Sequence, residues 1–323
     1  MKVLITGGAG FIGYHLAEYH RRRGDGVVIL DNLFKAEGRA DPAFEALVGS
    51  PGVTYLAADL TRPLAPVETV GSDGFDVVYH LAAINGTRLF YEIPYQVART
   101  NLLITLHLLD WLEGRRVGWL VYASTSEVYA GCEQVGLLTI PTGEDIPVVF
   151  PQPTNVRFSY GTSKFMGEFL CFQFGEKMKI RTSVVRYHNI YGPRMGTSHV
   201  IPEFILRMKR RENPFRIFGG NETRAFCYVE DAVTATRLVA TTPGCDREVV
   251  HIGNMEEEIT IEALARLLMA QFRETFDILE CGGRSGSVSR RCPNTAKLKK
   301  LTGFEAKVDL KEGLSRTSEW YLR

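Results

Sequence analysis

Tyr160 and Lys164 stand four residues apart in the run Tyr160-Gly161-Thr162-Ser163-Lys164. On a helix that spacing puts both side chains on one face, one turn apart. An ammonium beside a phenol stabilises the phenolate and draws the tyrosine pKa towards working pH, so the pair is a candidate general base with its tuning charge. The same spacing arises by chance on amphipathic helices, and its meaning here comes from its company. Upstream, Ser124-Thr125-Ser126-Glu127-Val128-Tyr129 ends an apolar strand. In parallel α/β proteins, that edge of the sheet is where ligands bind.

The elements that must position these residues are short. Strand-like runs at Lys2 to Thr6, Val27 to Leu30, Val53 to Ala57 and Val77 to Leu81 alternate with helical patterns, the first over Tyr14 to Arg23. The rhythm predicts right-handed βαβ units and a parallel sheet. A helix from about Thr100 to Leu112 leads into a strand at Val117 to Ser124, and a helix starting near Ser163 leads into Ile180 to Tyr187. The expected fold class is α/β, a Rossmann-type doubly wound parallel sheet with a smaller C-terminal substrate-binding lobe. The expected domains are 1–190 for the sheet and 191–323 for the lobe, interleaved, with lobe helices near Ile201 to Arg211 and Ile261 to Phe272.

Between the first strand and the first helix lies Thr6-Gly7-Gly8-Ala9-Gly10-Phe11-Ile12-Gly13. A G-x-x-G-x-x-G loop in that context presents backbone N–H groups to a pyrophosphate. Gly7 allows the turn, Gly10 lets the backbone approach the phosphates, and Gly13 permits close helix–strand packing, with Phe11 and Ile12 completing the loop. About twenty residues further on, Asp31 ends the second strand, where a carboxylate accepts both adenosine-ribose hydroxyls and repels a 2′-phosphate. Asn32 follows it. This predicts NAD and disfavours NADP, the bland alternative for Asp31 being a surface turn acid. Asp59, next to Leu60 after the third strand, is placed to reach the adenine amino group or to cap a following helix.

Composition excludes several classes. The 38 Lys and Arg balance 37 Asp and Glu, so no summed field favours a nucleic-acid or membrane-surface partner. No apolar stretch approaches the roughly 18 residues needed to span a bilayer, and no charged leader with an apolar core precedes the first strand, which predicts a cytoplasmic chain. The six cysteines are scattered without C-x-x-C or metal-ligand spacing, so they read as reduced thiols and no metal is expected.

The motifs ITGGAGFIG, YHLAA, YASTSEVY, YGTSK, RYHNIYGPR and TRAFCYVED, followed by RRCPN, EGL and EWY, run over nearly the whole chain. In order and spacing the chain resembles the NAD-dependent epimerase/dehydratase family, the extended short-chain dehydrogenases, and within it looks most like UDP-glucuronate decarboxylases and UDP-sugar 4-epimerases. The resemblance implies a UDP-linked nucleotide-sugar substrate whose 4-hydroxyl hydrogen-bonds Thr125. Tyr160 removes its proton and Lys164 holds the nicotinamide ribose, while hydride passes from sugar carbon-4 to NAD. It also implies that His80, Leu81, Ala82 and Ala83 line the cofactor with Asn101 behind the catalytic strand, a satisfied strand-end histidine being the equal alternative for His80, and that Asn189, Arg194, Arg224 and Arg291 bind diphosphate or substrate. A surface ion pair is the alternative for each arginine. The family's dimer is expected through the helices near Thr100 to Leu112 and Ser163 to Gly175.

Family dehydratases carry T-D-E where this chain has Thr125-Ser126-Glu127, and a serine is a far poorer acid than the missing aspartate. Glu127 is retained. A 4-keto uronate has its carboxylate β to the ketone and loses carbon dioxide readily, so decarboxylation and 4-epimerisation both stay open. The alternatives are a dehydratase and a non-catalytic NAD-binding scaffold. Ile84-Asn85-Gly86-Thr87-Arg88 and Asn294 depart from the decarboxylase pattern, and the segment from Gly131 to Ser159 is long.

Overall fold

The computed structural model describes residues 1–36, 41–64, 73–272, 275–283 and 288–323. The β-branched runs become β1 (Lys2–Thr6), β2 (Gly26–Asp31), β3 (Val53–Ala57), β4 (Phe75–His80), β5 (Val117–Thr125) and β6 (Arg181–Tyr187). With the strand Val249–Ile252 they form one seven-stranded sheet, ordered Val249–Ile252, β6, β5, β4, β1, β2, β3. The pairs β3–β2, β2–β1, β1–β4 and β4–β5 are parallel. Chain order therefore reverses between β1 and β4. Crevices at such reversals, beyond the carboxyl ends of the strands, are where doubly wound sheets take ligands. The expected α/β Rossmann-type class is what the chain adopts.

The helices that bear on the site are α1 (Phe11–Arg22), α2 (Pro42–Val48), α3 (Thr87–Glu92), α4 (Pro94–Leu112), α5 (Ala130–Gln134) and α6 (Phe158–Met178). Two of them start earlier than the apolar periodicity indicates. Proline at the first turn of α4 lacks only an N–H that would find no helical partner there, so Pro94 starts the helix well before Thr100. In α6 the extra N-terminal turn carries Tyr160. Among the described residues no helix is long and apolar enough to cross a membrane.

Two compact units share the chain. The first comprises Met1–Val135, Val148–Arg186 and Val233–Val250. Its core includes Leu4, Val28, Val78, Leu120 and Val184 from the sheet and Leu108, Leu112, Cys171 and Phe174 from α4 and α6. Strands covered on both faces read as unbroken apolar runs, which is why they are legible in the sequence. Buried polar groups pair across the sheet edge: Trp119 Nε1 donates to Ser183 Oγ at 2.9 Å, and Ser183 donates to the Cys245 carbonyl at 2.6 Å.

The second unit comprises Gly136–Pro147, Tyr187–Ala232 and His251–Arg323. It holds small sheets, including Glu258–Thr260, Thr223–Ala225 and Arg290–Arg291 side by side. The middle of the long segment after Gly131 belongs here. Thr142 N donates to the Cys292 carbonyl at 2.8 Å and Asn294 N donates to the Thr142 carbonyl at 2.7 Å. Glu144 Oε1 accepts from His251 N at 2.9 Å.

Candidate active site

The turn from β1 into α1 is shaped for an anion. Gly7 sits at φ +73°, and a Cβ there would lie 2.7 Å from Ala82 N, so no other residue fits without backbone movement. At Gly13 a Cβ would lie 2.2 Å from the Gly7 carbonyl. The Gly10 cap of α1 offers no side chain, and the first turn contains no acid. The N–H groups of that turn, Phe11 and Ile12 among them, thus keep both their donors and the positive end of the helix dipole for a ligand phosphate. This is the cradle a dinucleotide pyrophosphate needs.

Asp31 closes the same turn. Its Oδ2 accepts from Ala9 N at 3.0 Å and its Oδ1 from Leu33 N at 2.7 Å. Burial raises its pKa, and the Leu33 and Ala9 amides with the Lys35 charge oppose that rise. Asn32 Oδ1 accepts from Phe34 N at 3.1 Å. Asp59 Oδ1 accepts from Thr61 N at 2.9 Å, a local turn rather than a cap on any helix among the described residues. The side chain of Leu60 is buried in the core, and its carbonyl accepts from His107 Nδ1 at 3.0 Å.

Leu81, Ala82 and Ala83 leave the end of β4 half-buried beside the glycine turn. Leu81 N donates to the Thr6 carbonyl and Ala82 N to Thr6 Oγ1, each at 3.2 Å. His80 is fully buried between two threonines, 2.7 Å from Thr6 Oγ1 and 3.2 Å from Thr105 Oγ1. Thr105 donates its hydroxyl to the Asn101 carbonyl at 3.0 Å, so it accepts from His80 Nε2–H and leaves Nδ1 to accept from Thr6. Burial, aided by the Lys164 charge, lowers the His80 pKa to about 3. The ring is therefore neutral, with both nitrogens engaged. Asn101 faces the next loop: its Oδ1 accepts from Ile84 N at 2.8 Å, and its Nδ2 donates to the Ile84 carbonyl at 3.1 Å and to Ser163 Oγ at 3.3 Å. It ties the loop after β4 to α6.

Thr125, Glu127, Tyr160 and Lys164 all lie in this first unit. Thr125 ends β5 and caps the 3₁₀ turn Ser126–Tyr129, its Oγ1 accepting from Glu127 N at 3.2 Å. Ser126 is buried in that turn. A Cβ on Gly161 would lie 2.7 Å from the Glu127 carbonyl, so glycine there lets α6 rest directly on the turn. Tyr160 stacks on Phe90 with ring centroids 4.8 Å apart and planes 10° apart. Burial pushes the phenol up, the Glu127 charge adds to the rise, and the side chains of Thr125 and Asn85 oppose it.

Lys164 is 2 % exposed, with its ammonium 4.1 Å from the centre of the Tyr122 ring. Burial lowers its pKa to about 8, against the effects of Cys171 and Glu168. One turn further along α6, Glu168 receives Arg186 Nε at 2.9 Å and Nη2 at 2.6 Å, and Ser124 Oγ donates to it at 2.5 Å. This buried pair braces the strand end next to Thr125. At the other side of the turn the Arg157 guanidinium lies 3.5 Å from Glu127.

The remaining expected residues belong to the second unit. Asn189, at φ +42°, donates its side-chain amide to the Ala225 carbonyl at 3.2 Å. Arg194, at φ +68°, follows the Gly192 turn. Arg224 and Arg291 are direct partners in neighbouring parallel strands. That register places both side chains on the same face, about one strand spacing apart, a pairing suited to an anion with several oxygens. Arg224 also donates to Glu222 Oε2 at 2.8 Å, so the ion pair weighed from sequence is present.

Asn85, Phe90, Arg157, Glu168 and Arg186 were absent from the sequence-based site. Glu168 had a local signal, lying four residues beyond Lys164 on the same helix. Arg157 had a weaker one, three residues before Tyr160. Asn85 and Phe90 gave no such signal, because only the tertiary fold brings their loop to α6.

The family model for the NAD dependent epimerase/dehydratase family matches residues 3–253. A UDP-N-acetyl-alpha-D-glucosaminuronate decarboxylase from Bacillus cytotoxicus is 33% identical over 331 residues, covering 99% of this chain and 97% of the relative. A UDP-glucuronate 4-epimerase from Thermodesulfobacterium geofontis is 29% identical over 320 residues, covering 98% and 95% of the two chains. Among solved structures, the UDP-glucuronic acid 4-epimerase from Bacillus cereus in complex with UDP-glucuronic acid and NAD superposes with a TM-score of 0.84 at 25% identity, covering 99% of each chain.

Proposed function

Because the chain belongs to the NAD-dependent epimerase/dehydratase family, we propose that it decarboxylates a UDP-linked uronic acid after transient oxidation at sugar carbon-4. The observation that carries this reading is the cluster Thr125, Glu127, Tyr160 and Lys164 with Ser126 between the first two. Tyr160 takes the proton of the 4-hydroxyl, Thr125 orients that hydroxyl, and Lys164 holds the ribose beside it. NAD, held by the Gly7 to Gly13 turn and Asp31, accepts the hydride from carbon-4 and returns it within the same turnover. Once carbon-4 is a ketone, the carboxylate at carbon-6 is β to it and leaves as carbon dioxide, and carbon-5 is then protonated. Ser126 offers no acid for a departing 6-hydroxyl, which disfavours 4,6-dehydration.

Supporting this assignment, the relative with 33% identity is named a decarboxylase of a UDP-linked uronate. A second reading, 4-epimerisation of the same substrate class, uses the same oxidation and draws on the epimerase relative and the 0.84 TM-score. Arg224 and Arg291 are proposed as ligands of the substrate's diphosphate, with Asn189 and Arg194 alongside. The test is to incubate the protein with UDP-glucuronate, UDP-N-acetylglucosaminuronate and neutral UDP-hexoses and to identify products by mass and NMR. A product lighter by carbon dioxide is expected; unchanged mass with inverted carbon-4 selects the epimerase. Tight NAD binding without turnover of any UDP-sugar would leave a scaffold.

The exposed apolar side chains Leu106 on α4 and Phe165, Met166 and Phe169 on α6 support a homodimer formed through these helices. Twice the chain mass is expected in light scattering at micromolar concentration, falling to one chain mass when Phe169 is replaced by Glu. A monomeric wild type would refute it. None of the six cysteines is joined in a disulfide, which fits a reducing compartment such as the cytoplasm.

A further inference from the structure

Three buried side chains from three elements form one hydrogen-bonded line into the cofactor turn: Thr105 of α4, His80 at the end of β4 and Thr6 at the end of β1. His80 Nε2 lies 3.2 Å from Thr105 Oγ1, and its Nδ1 lies 2.7 Å from Thr6 Oγ1. Thr6 Oγ1 also accepts from Ala82 N at 3.2 Å, and the Thr6 carbonyl accepts from Leu81 N. Ala82 N is the atom that a Cβ on Gly7 would meet at 2.7 Å. The far end of the line therefore holds the loop after β4 against the glycine turn.

A neutral imidazole carries one N–H, so the line has two arrangements. With the proton on Nε2, His80 donates to Thr105, Thr105 donates to the Asn101 carbonyl at 3.0 Å, and Thr6 donates to Nδ1 while accepting from Ala82 N. Every hydrogen in the line then has an acceptor. With the proton on Nδ1, His80 and Ala82 N both donate to Thr6 Oγ1, and the Thr6 hydroxyl proton loses the ring as its acceptor. Unmet buried donors are costly, so the first arrangement prevails. We propose that Thr105 is a positioning residue for NAD: by accepting from His80 Nε2–H it selects the tautomer whose Nδ1 holds the Thr6 hydroxyl, and through Thr6 it sets the loop that packs on the glycine turn. Thr105 is on α4, outside the dinucleotide turn, so its effect on NAD passes through the ring.

The test reads the tautomer directly. Burial lowers the His80 pKa to about 3, so at neutral pH its ring nitrogen chemical shifts report the tautomer alone. In histidine-labelled, NAD-loaded protein, with the His80 signals assigned by their loss in His80→Gln, wild type is expected to show Nε2–H. Thr105→Val keeps the outline of the side chain and removes the acceptor at Nε2. The ring cannot turn its N–H to a new partner whereas the Thr6 hydroxyl can rotate, so the proton should pass to Nδ1. NAD dissociation should then quicken by about threefold to tenfold, the size of one net hydrogen bond. Thr105→Ser, which keeps the hydroxyl, should behave as wild type. In a Thr6→Val background, Thr105→Val should have no further effect on NAD, because both act through the same ring. Should Thr105→Val not fold, Thr105→Cys, whose sulfur is a weak acceptor, puts the same question.

Wild-type signals showing Nδ1–H overturn the proposal. So does a Thr105→Val protein that keeps Nε2–H, or one that changes tautomer while NAD dissociates at the wild-type rate. Faster loss of NAD that Thr105→Ser shares, or that adds to the effect of Thr6→Val, marks Thr105 as packing only and refutes the role as well.

Discussion

Tyr160→Phe lowers turnover by roughly 100-fold to 10,000-fold while NAD stays bound, the loss expected when a general base is removed and binding is spared. The ring itself has a packing role, and phenylalanine preserves it, keeping the stack on Phe90. Only the hydroxyl is lost. Nearby bonds do not involve it: Thr125 Oγ1 accepts from Glu127 N and Asn85 Oδ1 from Lys35. The dinucleotide turn is built from separate residues, Gly7, Gly10, Gly13 and Asp31, whose contacts do not include Tyr160. Single-turnover measurement with the accepted UDP-sugar, beside NAD extracted from the same preparation, checks both halves of the expectation. A loss within tenfold would mean that another group takes the proton; loss of NAD would mean that Tyr160 is part of the cofactor site's structure.

Much of this site could be read from the sequence because its pieces are local. The glycine turn needs three small residues within one strand–helix junction, and Gly7 and Gly13 are indeed places where a Cβ would strike backbone. Tyr160 and Lys164 share a helix, and Thr125 and Glu127 share a turn, so spacing alone places each pair. What spacing cannot show is the register between distant segments. Arg224 and Arg291 become neighbours through strand pairing, and the residues from Thr142 to Glu144 join the second unit through hydrogen bonds to Cys292, Asn294 and His251. Asn85 is the sharpest case. In the sequence its loop is only a departure from the decarboxylase pattern; in the structure it bonds Lys35 from after β2, and the helix that follows it lays Phe90 on Tyr160 of α6.

The fork between decarboxylation, epimerisation and dehydration turns on Glu127. Glu127→Gln keeps the size of the side chain and leaves Glu127 N free to donate to Thr125 Oγ1, so the turn that carries Thr125 should hold its shape. The change removes the charge opposite Arg157, whose guanidinium lies 3.5 Å away. In a decarboxylase that uses this carboxylate in proton traffic at carbon-5, turnover should fall roughly 100-fold, within the range for losing one acid–base group. In an epimerase it should fall little, because that reaction breaks and remakes only the C–H and O–H bonds at carbon-4 and leaves carbon-5 untouched. Removing the charge also removes one of the two causes that raise the Tyr160 pKa, so the acid limb of the pH–rate profile should move down in either case. That shift shows that the substitution has reached the site, and the rate then distinguishes the two reactions. A 4-keto-6-deoxy product from the wild-type protein would overturn both readings, since it would mean that Ser126, a water or another residue supplies the proton for a departing 6-hydroxyl.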